Sequence, residues 1–306
     1  MSTQSNAMPE SSLNSQVLAP AATAIHPFYW SLRRELWENR YIYIAPLATA
    51  AVSVVVFAGS MLHNHQKMQS LVGLDPIKHR DVLTNPYDAA AGMLMAMQIF
   101  VAIFYSLEAL YAERRDRSIL FWKSLPVSDV STVLSKASVP IVIVPLVTSI
   151  ISFATLGIML LIHSAAYAAS GQSVAALWKE LAVLQVAIGL AYHLVTVHAL
   201  WHAPFYGWFL LVSSWAKRTP LLWAFLPPLA LYGIEKMLFN TTHFLNLLAY
   251  RLMGSPDAPS MDFPNSIGMH SGAWHFFLSA GLWNGLIFTA ICLALAVRMR
   301  RYRGPS

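Results

Sequence analysis

Residues 113 to 129 read ERRDRSILFWKSLPVSD and stand between two long apolar runs. The first five are all charged, in a chain where only 11% of residues are, and Ile119, Leu120, Phe121 and Trp122 follow at once. An ordinary soluble domain carries about 25% charged residues. Charge this concentrated marks a segment held in water between stretches that are not. The hydrophobic share of the 306 residues is 57% and the mean hydropathy is +0.52. Too few polar residues remain to cover a soluble core of that size, so the composition points away from water-soluble domains and towards the membrane class.

Working outward, six apolar runs can be marked, at about 42–62, 89–111, 137–162, 181–203 (with room to continue to 215), 220–240 and 273–297. Each is near the roughly 20 residues that a helix needs to cross a hydrocarbon core of ~30 Å. The runs are continuously apolar and do not alternate, which disfavours a membrane β-barrel. The expected fold is an all-α polytopic membrane protein with six transmembrane helices. Arg33, Arg34, Arg40, Arg114, Arg115, Arg117, Lys123, Lys136, Lys217, Arg218, Arg298, Arg300, Arg301 and Arg303 would share one side, fourteen of the twenty basic residues. Lys67, Lys78, Arg80, Lys179, Lys236 and Arg251 would take the other. The positive-inside rule then predicts that both termini are cytoplasmic. An even number of spans agrees.

Residues 1–26 are small and polar and contain no apolar stretch, which predicts a disordered cytoplasmic tail rather than a cleavable signal peptide. The transmembrane domain is expected over 27–306. It opens with HPFYWSLRRELWENR, residues 26–40, where Phe28, Leu32 and Leu36 recur on one helical face and Trp30 and Trp37 suit a headgroup boundary. This predicts an amphipathic interfacial helix over 27–40. Two outer loops are expected, at about 63–88 and 241–272, the second beginning with a short helix in TTHFLNLLAYRLMG.

The segment 112–136 becomes the largest internal cytoplasmic loop. Its charges explain why it stays in water, but not its ILFW. Exposed aromatics flanked by basic residues fit a protein–protein contact. They fit equally a helix resting on lipid. Ser128 or Asp129 can cap a helix leading into the third span.

An interfacial helix, six spans and a basic loop after the second span together resemble the permease subunit of type 2 ABC transporters. The similarity covers essentially the whole chain after residue 26. Its most specific parts are ERRDRSILFWKSLPVSDVSTVLSK, residues 113–136, and WHAPFYGWFLLVSSWAKRTPLLWAFLPPLAL, residues 201–231. The resemblance implies a coupling helix in the loop, docked on a separate ATPase subunit. Arg114, Arg115 and Arg117 would steer that contact, Phe121 and Trp122 would anchor it, and Leu125 with Pro126 would end it. No GxxxxGK[ST] phosphate loop occurs here. ATP and Mg would therefore be bound by the partner, with no cofactor in this chain and no ATPase activity of its own. A second permease copy, or a related permease, would complete the pathway in a bacterial inner membrane.

Within the spans, Glu235 is the most costly ionisable group, and an intramembrane charge is by default a candidate pathway residue. The resemblance adds that the fifth span lines the transport path near the outer gate. Glu108 is expected to pair with a nearby arginine. His198, His202 and Tyr206 step by four and share a face, whereas His193 lies roughly 140° from His198 on an α-helix. A His-x-x-x-His pair can bind a metal or haem iron, but no carboxylate joins it in this span, so His198 and His202 are read first as hydrogen-bonding core or cavity-lining groups. Pro140, Pro145, Pro204 and the pair Pro227–Pro228 are expected to bend or end helices. Gly281 and Gly285 form a GxxxG match, read as packing within the monomer. The lone Cys292 has no partner for a disulfide or zinc site, and the net charge of +6 is spread among the loops rather than massed for nucleic acid. A membrane metal or haem enzyme built on the span-four histidines, or a non-transporting envelope or immunity protein, are the alternative readings.

Overall fold

The structure, a computed structural model, describes residues 27–63, 76–124, 127–181, 183–253 and 276–302. The expected N-terminal tail, Leu125–Pro126 and the greater part of the expected second outer loop lie outside the described residues. The described residues contain helices and no strand. In chain order the helices are α1 (Pro27–Glu38), α2 (Tyr41–His63), α3 (Pro76–Glu108), α4 (Tyr111–Arg115), α5 (Ile119–Ser124), α6 (Asp129–Ser138), α7 (Val144–Ala169), α8 (Val174–Leu181), α9 (Val183–His193), α10 (Ala203–Trp215), α11 (Pro220–Phe239), α12 (His243–Met253) and α13 (Ala280–Tyr302). Two π-helical stretches, Val139–Ile143 and Leu194–Trp201, join α6 to α7 and α9 towards α10.

Among the described residues, five helical segments are long and apolar enough to cross a membrane: Tyr41–Met61, Val82–Arg115, Asp129–Ala169, Pro220–Phe239 and Ala280–Tyr302. This is the architecture of an all-α polytopic membrane protein. The expected fourth span is helical but divided. Its apolar piece is the shorter Ile188–Trp201, after which the chain bends at His202 and continues as α10 to Trp215. Pro204 sets that division, because it has no N–H for the Leu200 carbonyl. The second span starts earlier than the apolar pattern suggests, since α3 begins at Pro76. The sixth is shifted in the other direction: α13 runs from Ala280 to Tyr302 and carries Arg298, Arg300 and Arg301 on the helix itself.

The proline expectations divide. Pro140 sits in the first π-stretch, whose wider winding accommodates the missing donor. α11 instead runs straight through Pro227 and Pro228 without ending.

Packing is centred on α3, α7, α10 and α13. Gly207 of α10 makes a close helix crossing: a side-chain carbon there would sit 3.2 Å from the Thr289 backbone of α13. Small residues allow such approach where no hydrophobic force draws helices together in lipid. Gly281 and Gly285 do pack within the monomer. They open the groove that admits the Arg251 guanidinium, which lies 4.3 Å from the Trp201 ring and donates to the Gly281 carbonyl. α11 is the opposite case, apolar yet almost wholly exposed, with Leu222, Phe225, Leu229 and Met237 facing outward.

α1 is more than a surface helix. Leu32 and Leu36 pack against Ile42, Tyr105 and Ala137 in the core, while Phe28, expected on the same stripe, is exposed.

Candidate functional site

The basic end of the bundle holds a charge cluster that closes the core. Glu35 of α1 is 1% exposed, and Glu113 of α4, Lys136 of α6 and Arg300 of α13 are also buried. Lys136 Nζ donates to Glu35 Oε1 at 2.8 Å and lies 3.2 Å from Glu113 Oε1. Arg34 Nη2 reaches the same two carboxylates at 2.8 and 3.1 Å. Arg300 donates through Nη1 to Glu113 Oε2 and through Nε to Asp129 Oδ1, the latter at 3.1 Å. The Tyr105 hydroxyl of α3 donates to Glu35 Oε2 at 2.8 Å. Three carboxylates thus meet three cations across four helices, and Tyr105 ties in a fifth. Burial by itself would raise the Glu35 carboxyl. The Lys136 ammonium, followed by Arg34 and the Tyr105 hydroxyl, outweighs it and holds Glu35 below its ordinary 4.5.

The loop segment stands on this cluster. Arg114, expected to steer a partner, is instead buried. Its Nη2 donates to the carbonyls of Ser213 and Ala216 at 2.8 and 2.6 Å, closing the C-terminus of α10. The Ser213 hydroxyl in turn accepts from the backbone N–H groups of Leu110 and Tyr111. The physical reason is that helix α10 ends with unsatisfied carbonyls in a buried place, and a guanidinium can serve two of them. Arg115 is exposed and pairs with Glu108 at 2.8 Å and Asp116 at 3.0 Å, which is the partner expected for Glu108. Arg117 is exposed in the left-handed region, φ 57°, where the chain turns from α4 into α5.

α5 is amphipathic in a specific way. Ile119 is buried and anchors it. Trp122 lies beneath Arg34, whose guanidinium carbon is 3.7 Å from the ring centre. Leu120 and Phe121 are 58% and 59% exposed. The two aromatics expected to act together are therefore separated in role: Trp122 is tied to the bundle and Phe121 is presented outward. Leu125, expected to end the element, lies outside the described residues. Ser128 caps α6, its hydroxyl accepting from the Ser131 N–H at 3.1 Å.

The other candidates are placed as follows. Glu235 at the end of α11 accepts from Thr241 Oγ1 at 2.7 Å and from the backbone N–H groups of His243 and Phe244 at 2.6 and 2.8 Å. It caps α12 and fixes the turn between the two helices. His193, His198 and His202 form a row, with ring centres 5.4 and 5.5 Å apart. The π-stretch brings His193 beside His198, since an i→i+5 winding aligns residues that a 3.6-residue turn separates. His202 is held by its own backbone, Nδ1 lying 2.8 Å from the Val197 carbonyl, and the Tyr206 hydroxyl donates to the His198 carbonyl at 2.9 Å. Among the described residues no group of three or more His, Cys, Asp or Glu is disposed to hold a metal ion.

Sequence reasoning missed the charge cluster. A signal existed in Glu35, which falls between Leu32 and Leu36 on the helix that those leucines anchor. No protein-family model matches the chain, and no curated protein is significantly similar to it.

Proposed function

We propose that this chain is the membrane-spanning permease subunit of an ATP-driven exporter, and that α5 is the element through which a separate ATPase subunit acts. The observation that supports this reading most is the pairing of an exposed apolar tip with a rigid base. Leu120 and Phe121 project outward, while Ile119, the Arg34–Trp122 contact and the buried charges beneath them restrain α5. A helix that only rests on lipid needs no such base. A helix that transmits a push needs one, because movement at a loose loop is lost before it reaches the spans.

In this reading the divided fourth segment completes six crossings, and the basic end faces the cytoplasm of a bacterium by the positive-inside rule. A second copy or a related permease forms the other half of the pathway. The ATPase moves α5, and the cluster passes that movement to α1, α3, α6 and α13 together. His198 and His202 lie in the interior of the bundle and remain candidates for the pathway wall. Glu235 serves there as the clamp of an outer turn.

The test is to co-express the chain with a candidate phosphate-loop ATPase subunit and purify through a tag on this chain. Phe121→Ala should leave this chain inserted and folded while releasing the ATPase or uncoupling its hydrolysis from export. Retention of the ATPase and an unchanged ratio of export to ATP hydrolysed would remove α5 from the mechanism.

A further inference from the structure

α1 has two faces, and only one is used by the bundle. Leu32, Glu35 and Leu36 point inward to the core and the charge cluster. The outward face carries Trp30, Arg33 and Trp37, at spacings of three and four, followed by Arg40. The two indoles are 52% and 69% exposed. The Arg33 guanidinium carbon lies 5.3 Å from the Trp30 ring centre and 4.9 Å from that of Trp37. Both rings flank the cation, which enters no ion pair with any carboxylate of the described residues. Its neighbour Arg34 shows the contrast, since it engages Glu35, Glu38 and Glu113.

A helix face turned to water would be polar, and one turned to acyl chains would be aliphatic. Paired indoles with an arginine between them suit the level between, where headgroups meet glycerol. A guanidinium held by rings keeps its planar fork free for two oxygens of one phosphate. The surrounding charge decides the class of lipid. The cluster draws Glu35, Glu113 and Asp129 inward, while Arg33, Arg40, Lys217, Arg218, Arg298 and Arg301 at the same end stay exposed. Glu38, Glu108 and Asp116 also reach the surface here, but the exposed arginines and lysines outnumber them, so the outer surface of this end is net positive.

We propose that the Trp30–Arg33–Trp37 face of α1 is a binding site for the phosphate of an anionic phospholipid headgroup. The site orients α1 against the bilayer, and with it the charge cluster on its inner face. It does not depend on the transport reading.

The experiment uses the full chain purified in a neutral detergent, with native mass spectrometry reading the apparent affinity for phosphatidylglycerol, for phosphatidylcholine and for inorganic phosphate. The wild type should prefer phosphatidylglycerol to phosphatidylcholine, and inorganic phosphate should not compete at equal concentration. Arg33→Gln should weaken phosphatidylglycerol binding by about fivefold. Trp37→Leu, which keeps apolar bulk but removes a ring from the guanidinium, should weaken it in the same direction. The Lys217→Gln/Arg218→Gln double variant, which lowers only the surrounding charge, should weaken binding clearly less than Arg33→Gln does. Unchanged binding by Arg33→Gln, an equal loss in the Lys217/Arg218 variant, or competition by inorganic phosphate would each overturn the site. The first two results would replace it with diffuse surface charge, and the third with a soluble-anion site.

Discussion

Two groups of polar side chains are buried in this bundle, and they meet opposite fates. At the basic end Glu35, Glu113, Lys136 and Arg300 are almost sealed from solvent, and each is held by ion pairs or hydrogen bonds of about 3 Å or less. Within the spans Gln98, Thr148, Ser152 and His198 are buried as deeply, yet Gln98 Oε1 and Nε2, Thr148 Oγ1, Ser152 Oγ and both ring nitrogens of His198 have no hydrogen-bond partner among the described residues. The first group is charged and must be paired, because an isolated ion in a low-dielectric interior is far more unfavourable than a neutral amide or imidazole. The second is neutral and can stand alone at a smaller penalty. A densely paired charged network has few arrangements and so makes a fixed joint. A set of neutral groups with open valences remains ready to bond something else. The comparison teaches where this molecule is stiff and where it is adaptable.

The largest expected effect comes from breaking the joint. Glu113→Gln leaves Lys136 and Arg300 facing one another with too little negative charge, and should destabilise the fold by roughly 3–5 kcal/mol. Thermal unfolding in detergent is the measurement. Replacing Glu35 and Lys136 together by leucine should be less harmful than replacing either alone, because no uncompensated ion is left. The pH dependence has a definite sign. Glu35 is held below 4.5, so its stabilisation is fully present above that value and is lost as pH falls through the lower folded-state value. Glu35→Gln should remove that part of the acid limb. An acid limb unchanged in Glu35→Gln would mean that other carboxylates carry it.

A smaller loss, about 2–3 kcal/mol, is expected for Arg114→Ala, which strands the carbonyls of Ser213 and Ala216. This separates the structural role of Arg114 from steering. A normal melting temperature with a slowed association to a partner would reverse the assignment. Smaller again is the difference between neighbours on α5. Trp122→Ala removes the ring beneath Arg34 and should destabilise by about 1–2 kcal/mol. Phe121→Ala, at an exposed position, should stay within about 0.5 kcal/mol of the wild type.

Much of the framework can be read from the sequence, because continuous apolar runs near bilayer length leave few alternatives. The runs at 42–62 and 220–240 correspond closely to segments of the structure, and 137–162 falls inside the longer Asp129–Ala169. The Leu32–Leu36 anchoring of α1, the Ser128 cap and the Glu108–Arg115 pair are equally local, and local spacing reveals them. The charge cluster is not local. Its bonded partners lie up to 187 residues apart, and nothing in a linear pattern says that Arg300 will reach Glu113. Arg114 is misread for the same reason: in sequence it belongs to a charged loop, in space it belongs to the end of α10. The histidine row escapes because π-winding has no composition signature. A 3.6-residue turn keeps His193 and His198 apart, and only the Leu194–Trp201 stretch brings their rings to 5.4 Å.

The smallest expected effect tests the adaptable region. His198 is buried and, among the described residues, without a hydrogen bond from either ring nitrogen. Replacing an unsatisfied polar group by an apolar one of similar size removes a penalty rather than a bond, and buried polar contacts in membrane bundles are individually weak. His198→Leu should therefore change stability by about 1 kcal/mol or less, and in the favourable direction. Glu113→Gln, at an equally buried site, should do the reverse and several times more strongly. If His198→Leu proves as destabilising as Glu113→Gln, the histidine is bonded in the working molecule and the two regions are alike. If it is stable but the export proposed for this chain falls, the open valences of His198 serve that activity, and the contrast between the stiff and adaptable regions holds in function as well as in structure.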